Sequence, residues 1–218
     1  MPEIKTQDFS AASVAAIQNP KLRRALDRVA SGFEVARLDR VAEATPKVWE
    51  DWKQQARDIK AHTIEHLDYY LDLLHTNVTA AGGQLHFAKD ADQANEIVAH
   101  IARTRNVKVA TKSKSMVSEE LALNPVLESV GVEVWETDLG EYIIQLAEET
   151  PSHLVAPALH KSKEDVAELF TEKLGIPYDE DIYHMAATAR EVLRDKFMEA
   201  DLGISGANFV VAETGTLV

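Results

Sequence analysis

The sequence of 218 residues contains no cysteine. That absence excludes disulfides, thiolate zinc sites and Cys-ligated iron–sulfur clusters within these residues. It also fits a reducing compartment. Long apolar runs are missing too, and the longest stretches fall far short of the roughly 20 residues a membrane span requires. Met1–Ser10 is polar and mixed in charge, without the basic start and apolar run of a secretory signal. The chain is expected to be soluble and cytoplasmic. Positive charge is in deficit: 36 acidic against 23 basic side chains leave a formal net charge of −13. That balance argues against sequence-independent binding to nucleic acid or to an anionic membrane, where neutralised phosphates supply most of the affinity. A local basic pocket for a small anion stays open.

What is present describes a globular protein, 45% apolar and 27% charged. A chain of this length buries enough surface to fold without staples. Residues 1–83 read as helical. Asn19-Pro20 and Thr45-Pro46 mark helix starts, with Pro at the first helical position. Beyond Pro46, Trp49, Trp52, Ala56, Ile59, Thr63, Leu67, Tyr70, Leu71 and Leu74 recur every three or four residues until Gly82-Gly83. That spacing predicts a helix of about 35 residues, long enough to pack across the rest of the molecule or against a partner.

After Gly83 the pattern changes to short β-prone runs alternating with helical ones. Gln84–Ala88, Val107–Thr111, Val132–Glu136, His153–Ala156 and Phe209–Ala212 are predicted as strands. Asp92–Arg103, Glu119–Val130, Lys163–Leu174 and Ile182–Glu199 are predicted as helices, the third opened by a capping box of Ser162 and Asp165. The alternation implies βαβ units and a mostly parallel sheet with right-handed crossovers. The expected organisation is a helical region over 1–83 and an α/β domain over 84–218. Asn208–Ala212 reads as a buried strand, Glu213–Thr216 as a turn and Leu217-Val218 as the start of another strand. That pattern leads us to expect further sequence and an α/β domain incomplete at its C-terminus.

Several motifs could carry chemistry. His62-Thr63-Ile64-Glu65-His66 matches the H-x-x-E-H pattern of inverted zinc peptidases. Both histidines flank the apolar stripe of a continuous amphipathic helix, so they read as helix-face residues and no metal site is assigned. Thr111-Lys112-Ser113-Lys114-Ser115-Met116 sits between a strand and a helix, at the carboxyl edge where open α/β sheets bind ligands. Two lysines and several hydroxyls beside a helix N-terminus suit an anion, and a solvated turn is the equal alternative. Glu136–Glu141 occupies the same edge after the next strand. Its carboxylates could orient a ligand hydroxyl or the two lysines, while Asp138 is spaced to cap the following helix. His160 and Lys161 close the expected fourth strand. Glycines at 203, 206 and 215 allow close backbone approach, with Glu213 projecting from a tight turn.

Together these segments resemble the lactate-utilisation (LUD) domain family. The resemblance rests on Thr111–Met116 with Glu119-Glu120, on Glu136–Glu141 with Pro151-Ser152-His153 and Pro157–Lys161, and on Gly203–Asn208 running into Ala212–Val218. It spans nearly the whole chain, and the helical N-terminus points to the family's iron–sulfur branch. The resemblance implies a fold like that of ribose-phosphate isomerases and CoA-transferases. It further implies a role in oxidising L-lactate to pyruvate with partner subunits in a cytoplasmic electron-transfer complex. Two 4Fe-4S clusters are expected in the full-length family member and none in this chain, which is expected to be inactive alone.

A second hypothesis makes the domain a ligand-binding or acyl-transfer module for a small anion, an acyl-CoA or a sugar phosphate. Glu213 is then the candidate catalytic nucleophile, as a glutamate serves in CoA-transferases. Lys112, Ser113, Lys114, Asp138, Glu141, His160, Lys161, Gly206, Thr214, Gly215 and Thr216 are the candidate ligand-binding residues. They are expected to converge on one locally positive pocket for a small carboxylate or phosphate.

Overall fold

The computed structural model describes residues 9–153 and 155–218. Four helices come first: α1 (Phe9–Gln18), α2 (Pro20–Glu43), α3 (Pro46–Glu65) and α4 (Leu67–Ala80). The α/β part follows as α5 (Ala91–Thr104), β1 (Val109–Lys112), α6 (Met116–Glu120), α7 (Leu123–Ser129), β2 (Glu133–Glu136), α8 (Leu139–Ala147), α9 (Lys163–Leu174), α10 (Ile182–Glu199) and β3 (Leu202–Ile204). A hairpin of β4 (Val210–Val211) and β5 (Thr216–Leu217) ends it. The chain forms two compact units. One takes in the residues up to Asp27 together with Ala88–Gly206, the other Arg28–Phe87 together with Ala207–Val218.

The first unit is built on a parallel three-stranded sheet of order β2-β1-β3. Side chains alternate across a strand, so Ala110, Lys112, Val134 and Glu136 share one face while Thr111 and Trp135 share the other. Ala110 and Val134 join Ala102 of α5 and Leu123 and Leu127 of α7 in one buried cluster. On the opposite side Tyr142 and Ile143 of α8, Phe170 of α9 and Met185, Ala189 and Leu193 of α10 form a second, with Trp135 packed against it. Helices thus cover both faces, the arrangement that parallel strands require. The helix starts follow their caps. Ser162 and Asp165 close a capping box at α9, and Asp181 accepts from the amides of Tyr183 and His184 at α10.

The second unit is helical, and α3 and α4 bury none of their residues. The expected helix of about 35 residues is divided at His66, whose φ of −117° and ψ of 33° depart from helical values. Thr45 accepts from the Val48 amide at the start of α3. Here the hairpin packs close to α4: Asn77 donates to the Ala212 carbonyl at 2.9 Å.

Three predicted strands are corrected. Gln84–Ala88 is irregular. His153, Val155 and Ala156 form bends, and Leu154 lies outside the described residues. The prolines at 151 and 157 remove backbone donors from that stretch, and the His153 ring accepts from the amides of Val155 and Ala156 instead. Phe209–Ala212 gives only the exposed two-residue strand β4, paired antiparallel with β5, while the sheet takes Leu202–Ile204 as its third member. The predicted helix Glu119–Val130 is two helices. Ala122 adopts a left-handed conformation between them, and Pro125 cannot donate back to the preceding turn.

Candidate functional site

Parallel register sets Lys112 directly beside Glu136 at the carboxyl ends of β1 and β2. Lys112 is fully buried and Glu136 nearly so, at 0% and 4% exposure. The Lys112 ammonium donates to Glu119 of α6 and to Ser118 Oγ at 3.2 Å, and lies 2.9 Å from Glu136 Oε1. Asn124 of α7 donates to the same Glu136 oxygen at 2.7 Å, leaving Glu136 Oε2 buried without a partner. Burial pushes the Lys112 pKa down, yet the hydrogen bonds and charges of Glu119 and Glu136 outweigh it and leave the pKa raised. Burial raises the Glu136 carboxyl pKa, and the hydrogen bonds from Asn124 and Lys112 only partly counter it. One ammonium is shared by two carboxylates, and burial makes the deeper one, Glu136, harder to ionise than an ordinary glutamate.

The loops above this pair are tied to it. Ser113 donates its amide to Ile204 at 2.8 Å, and its hydroxyl meets Ser205 Oγ at 3.1 Å. A Cβ on Gly206 would sit 3.3 Å from Ser115 Cβ, so the segment after β3 lies close against the segment after β1. Lys114 donates to the buried Glu141 of α8 at 2.9 Å. Asp138 caps α8 through the amides of Gly140 and Glu141. Gly140 lies close against Pro157: a Cβ there would approach Pro157 Cγ to 3.0 Å, and the proline would have to give by a few tenths of an ångström. That contact seats the 151–161 segment on α8. Within it His160 bridges Ser152 Oγ (2.8 Å) and Glu149 (2.7 Å), and Lys161 donates to Glu149 at 2.5 Å. The hydrogen bonds from Lys161 and then His160 hold the Glu149 carboxyl below its usual range. The outer edge of β2 is covered as well: Gln145 of α8 accepts from the Glu136 amide at 3.0 Å and donates to the Val134 carbonyl at 2.7 Å.

Lys112, Ser113, Lys114, Asp138, Glu141 and Gly206 therefore gather at one sheet edge. His160 and Lys161 form a neighbouring cluster around Glu149. The free positive charge expected there is a different matter. Each lysine carries a carboxylate partner: Lys112 has two, Lys114 has Glu141 and Lys161 has Glu149. The partners Glu119, Glu136 and Glu141 lie within the quoted motifs, whereas Glu149 and Asn124 stand outside every motif and had no spacing signal to mark them. Glu213, Thr214, Gly215 and Thr216 belong to the second unit. Glu213 is exposed in the turn between β4 and β5, Thr214 and Thr216 bond to each other at 2.8 Å, and Gly215, at φ +71°, lies against the Val78 backbone. Of the H-x-x-E-H motif, His62 is bonded to Tyr70 Oη at 3.1 Å and packs edge-on against His66. Among the described residues no group of three or more His, Asp or Glu side chains could hold a metal ion.

Comparison with known proteins is consistent with these motifs. The model of the LUD domain family matches residues 71–218. The chain belongs to the LUD domain family. Over 169 residues it is 48% identical to lactate utilization protein B of Bacillus cytotoxicus and 46% identical to those of Bacillus thuringiensis and Bacillus cereus. Each match covers 78% of this LUD chain and 36% of the relative, so the chain spans about a third of the length of these proteins. No solved structure matches it. The iron–sulfur clusters that the resemblance implies do not fit the residues present, because these offer no thiolate.

Proposed function

We propose that this LUD chain acts in L-lactate utilisation, as part of an iron–sulfur complex that oxidises L-lactate to pyruvate. The observation that carries the reading is the 48% identity to lactate utilization protein B over 78% of the chain. The electron-carrying clusters would be held by cysteines outside these 218 residues, and the proposed contribution of the chain is to seat partner subunits. Two features support that division of labour. The lysines at the sheet edge are matched internally, which suits a rigid scaffold better than a site releasing an anion each turnover. The helices of the second unit expose Trp52, Ile59 and Ile64, at 54%, 66% and 72%, and exposed apolar faces of that kind mark contact surfaces.

The test is reconstitution. Lactate-dependent reduction of a redox dye by the purified partner subunits should require the protein that carries this chain. Substituting Trp52 and Ile59 with serine should lower the rate by weakening assembly, visible as earlier dissociation on dilution. A full rate in the protein's absence would refute the proposal. Lactate-independent binding of a sugar phosphate or acyl-CoA, measured as a thermal shift, would favour a stand-alone ligand-binding module instead.

A further inference from the structure

A concavity lies on the other face of the sheet from Lys112, where α8 and α10 pack. It is a groove of about 470 Å³ that starts at Thr137 and Leu139 and runs along α10 past Ala189, Leu193 and Phe197. Its size is within the roughly 300–1,000 Å³ of small-molecule pockets. Its floor is apolar, with Ala189 and Leu193 buried, while Leu139 and Phe197 stay 46% and 56% exposed at its rim. Arg190 and Arg194 line it one helical turn apart, and no carboxylate does. Neither arginine has an ion-pair partner among the described residues. Lys196 on the same helix shows the usual local solution: it is neutralised by Glu133 and Glu199 and lies over the Trp135 ring at 4.6 Å. In a chain of net charge −13, two guanidinium groups without a counter-ion beside an apolar slot are an unfilled complement.

We infer that this groove binds an amphipathic monoanion, with a carboxylate seated between Arg190 and Arg194 and an apolar body along Leu193 and Phe197. Guanidinium groups present parallel donors that match a carboxylate two oxygens at a time, and the apolar wall rewards the area it buries. Lactate has the head group without the body, so the groove does not select it, and the inference stands apart from the lactate reading.

Calorimetric titration of the chain with octanoate, octanol and acetate separates the two contributions. Octanoate should bind saturably at one site, about tenfold or more tighter than either octanol or acetate. The R190Q/R194Q variant should lose about tenfold in octanoate affinity, with octanol binding and the thermal unfolding midpoint unchanged. The F197S variant should weaken octanoate and octanol together. Absence of octanoate binding, equal affinity for octanoate and octanol, or an unaltered R190Q/R194Q titration would each overturn the assignment.

Discussion

Replacing Lys112 with methionine keeps most of the apolar stem and removes the ammonium with its charge and its hydrogen bonds to Glu119 and Ser118. The ammonium is the direct cationic partner of Glu136 and Glu119, and Glu136 would remain 4% exposed with no cation beside it. Breaking a buried pair from one side costs about 3–5 kcal/mol, because the remaining charge is stranded in a medium that solvates it poorly. Glu119, at 30% side-chain exposure, can turn to water, so the lower half of that range applies. The expected loss is about 3 kcal/mol, which for a domain of this size lowers the unfolding midpoint by roughly 10 °C. Urea denaturation monitored by the fluorescence of Trp135, which packs on the same sheet, measures it directly. The second half of the test is the K112M/E136Q double variant. Removing the stranded charge should recover about 1–3 kcal/mol relative to K112M alone. A loss below about 1 kcal/mol for K112M, or strict additivity in the double variant, would show that Lys112 is not the counter-charge of the site.

Three further outcomes are expected. Asp201 accepts from the amides of Lys108 and Val109, and these bonds hold its carboxyl below the ordinary value of 3.8. A depressed folded pKa gives stability above the unfolded value that is lost as pH falls through the folded one. D201N should therefore melt below the wild type at neutral pH, and the two melting curves should merge in acid below pH 3.8. G140A should cost about 1–3 kcal/mol by pushing Pro157 away, and chemical denaturation that shows no change would remove the contact from the account of how the 151–161 segment is seated. The H62A/H66A variant should match the wild type in metal content by elemental analysis, and one equivalent of zinc lost in the variant would restore the peptidase-like reading.

Local chemistry was the legible part of the sequence. Pro20, Pro46 and Asp165 act through near neighbours in the chain, and α2, α3 and α9 begin where those residues place them. The strands Val109–Lys112 and Glu133–Glu136 fall within one or two residues of their predicted limits. The idea that the Glu136–Glu141 carboxylates orient the lysines was also within reach, and Glu136 and Glu141 do so. What escaped were features of long range. β3 is only three residues long with a central glycine, too short for any alternation to show, and it exists through its pairing with β1 some ninety positions earlier. The burial of Lys112 depends on the parallel register that sets it against Glu136, and register is a property of the assembled sheet. A lysine between a threonine and a serine carries no mark of that neighbour. His153–Ala156 misled through composition, since the amides of Val155 and Ala156 are held by the His153 ring instead of a ladder.

The carboxamide of Gln145 imitates a strand. Its oxygen and nitrogen occupy the acceptor and donor positions that a fourth strand would offer to Glu136 and Val134. An extended segment approaching from that side finds those ladder positions already taken and must first expel a side chain anchored in α8. Exposed sheet edges are where chains exchange strands or begin to aggregate, and one glutamine closes that route here. Mutating it to alanine would leave the sheet's own residues untouched while opening its flank to other copies of the molecule.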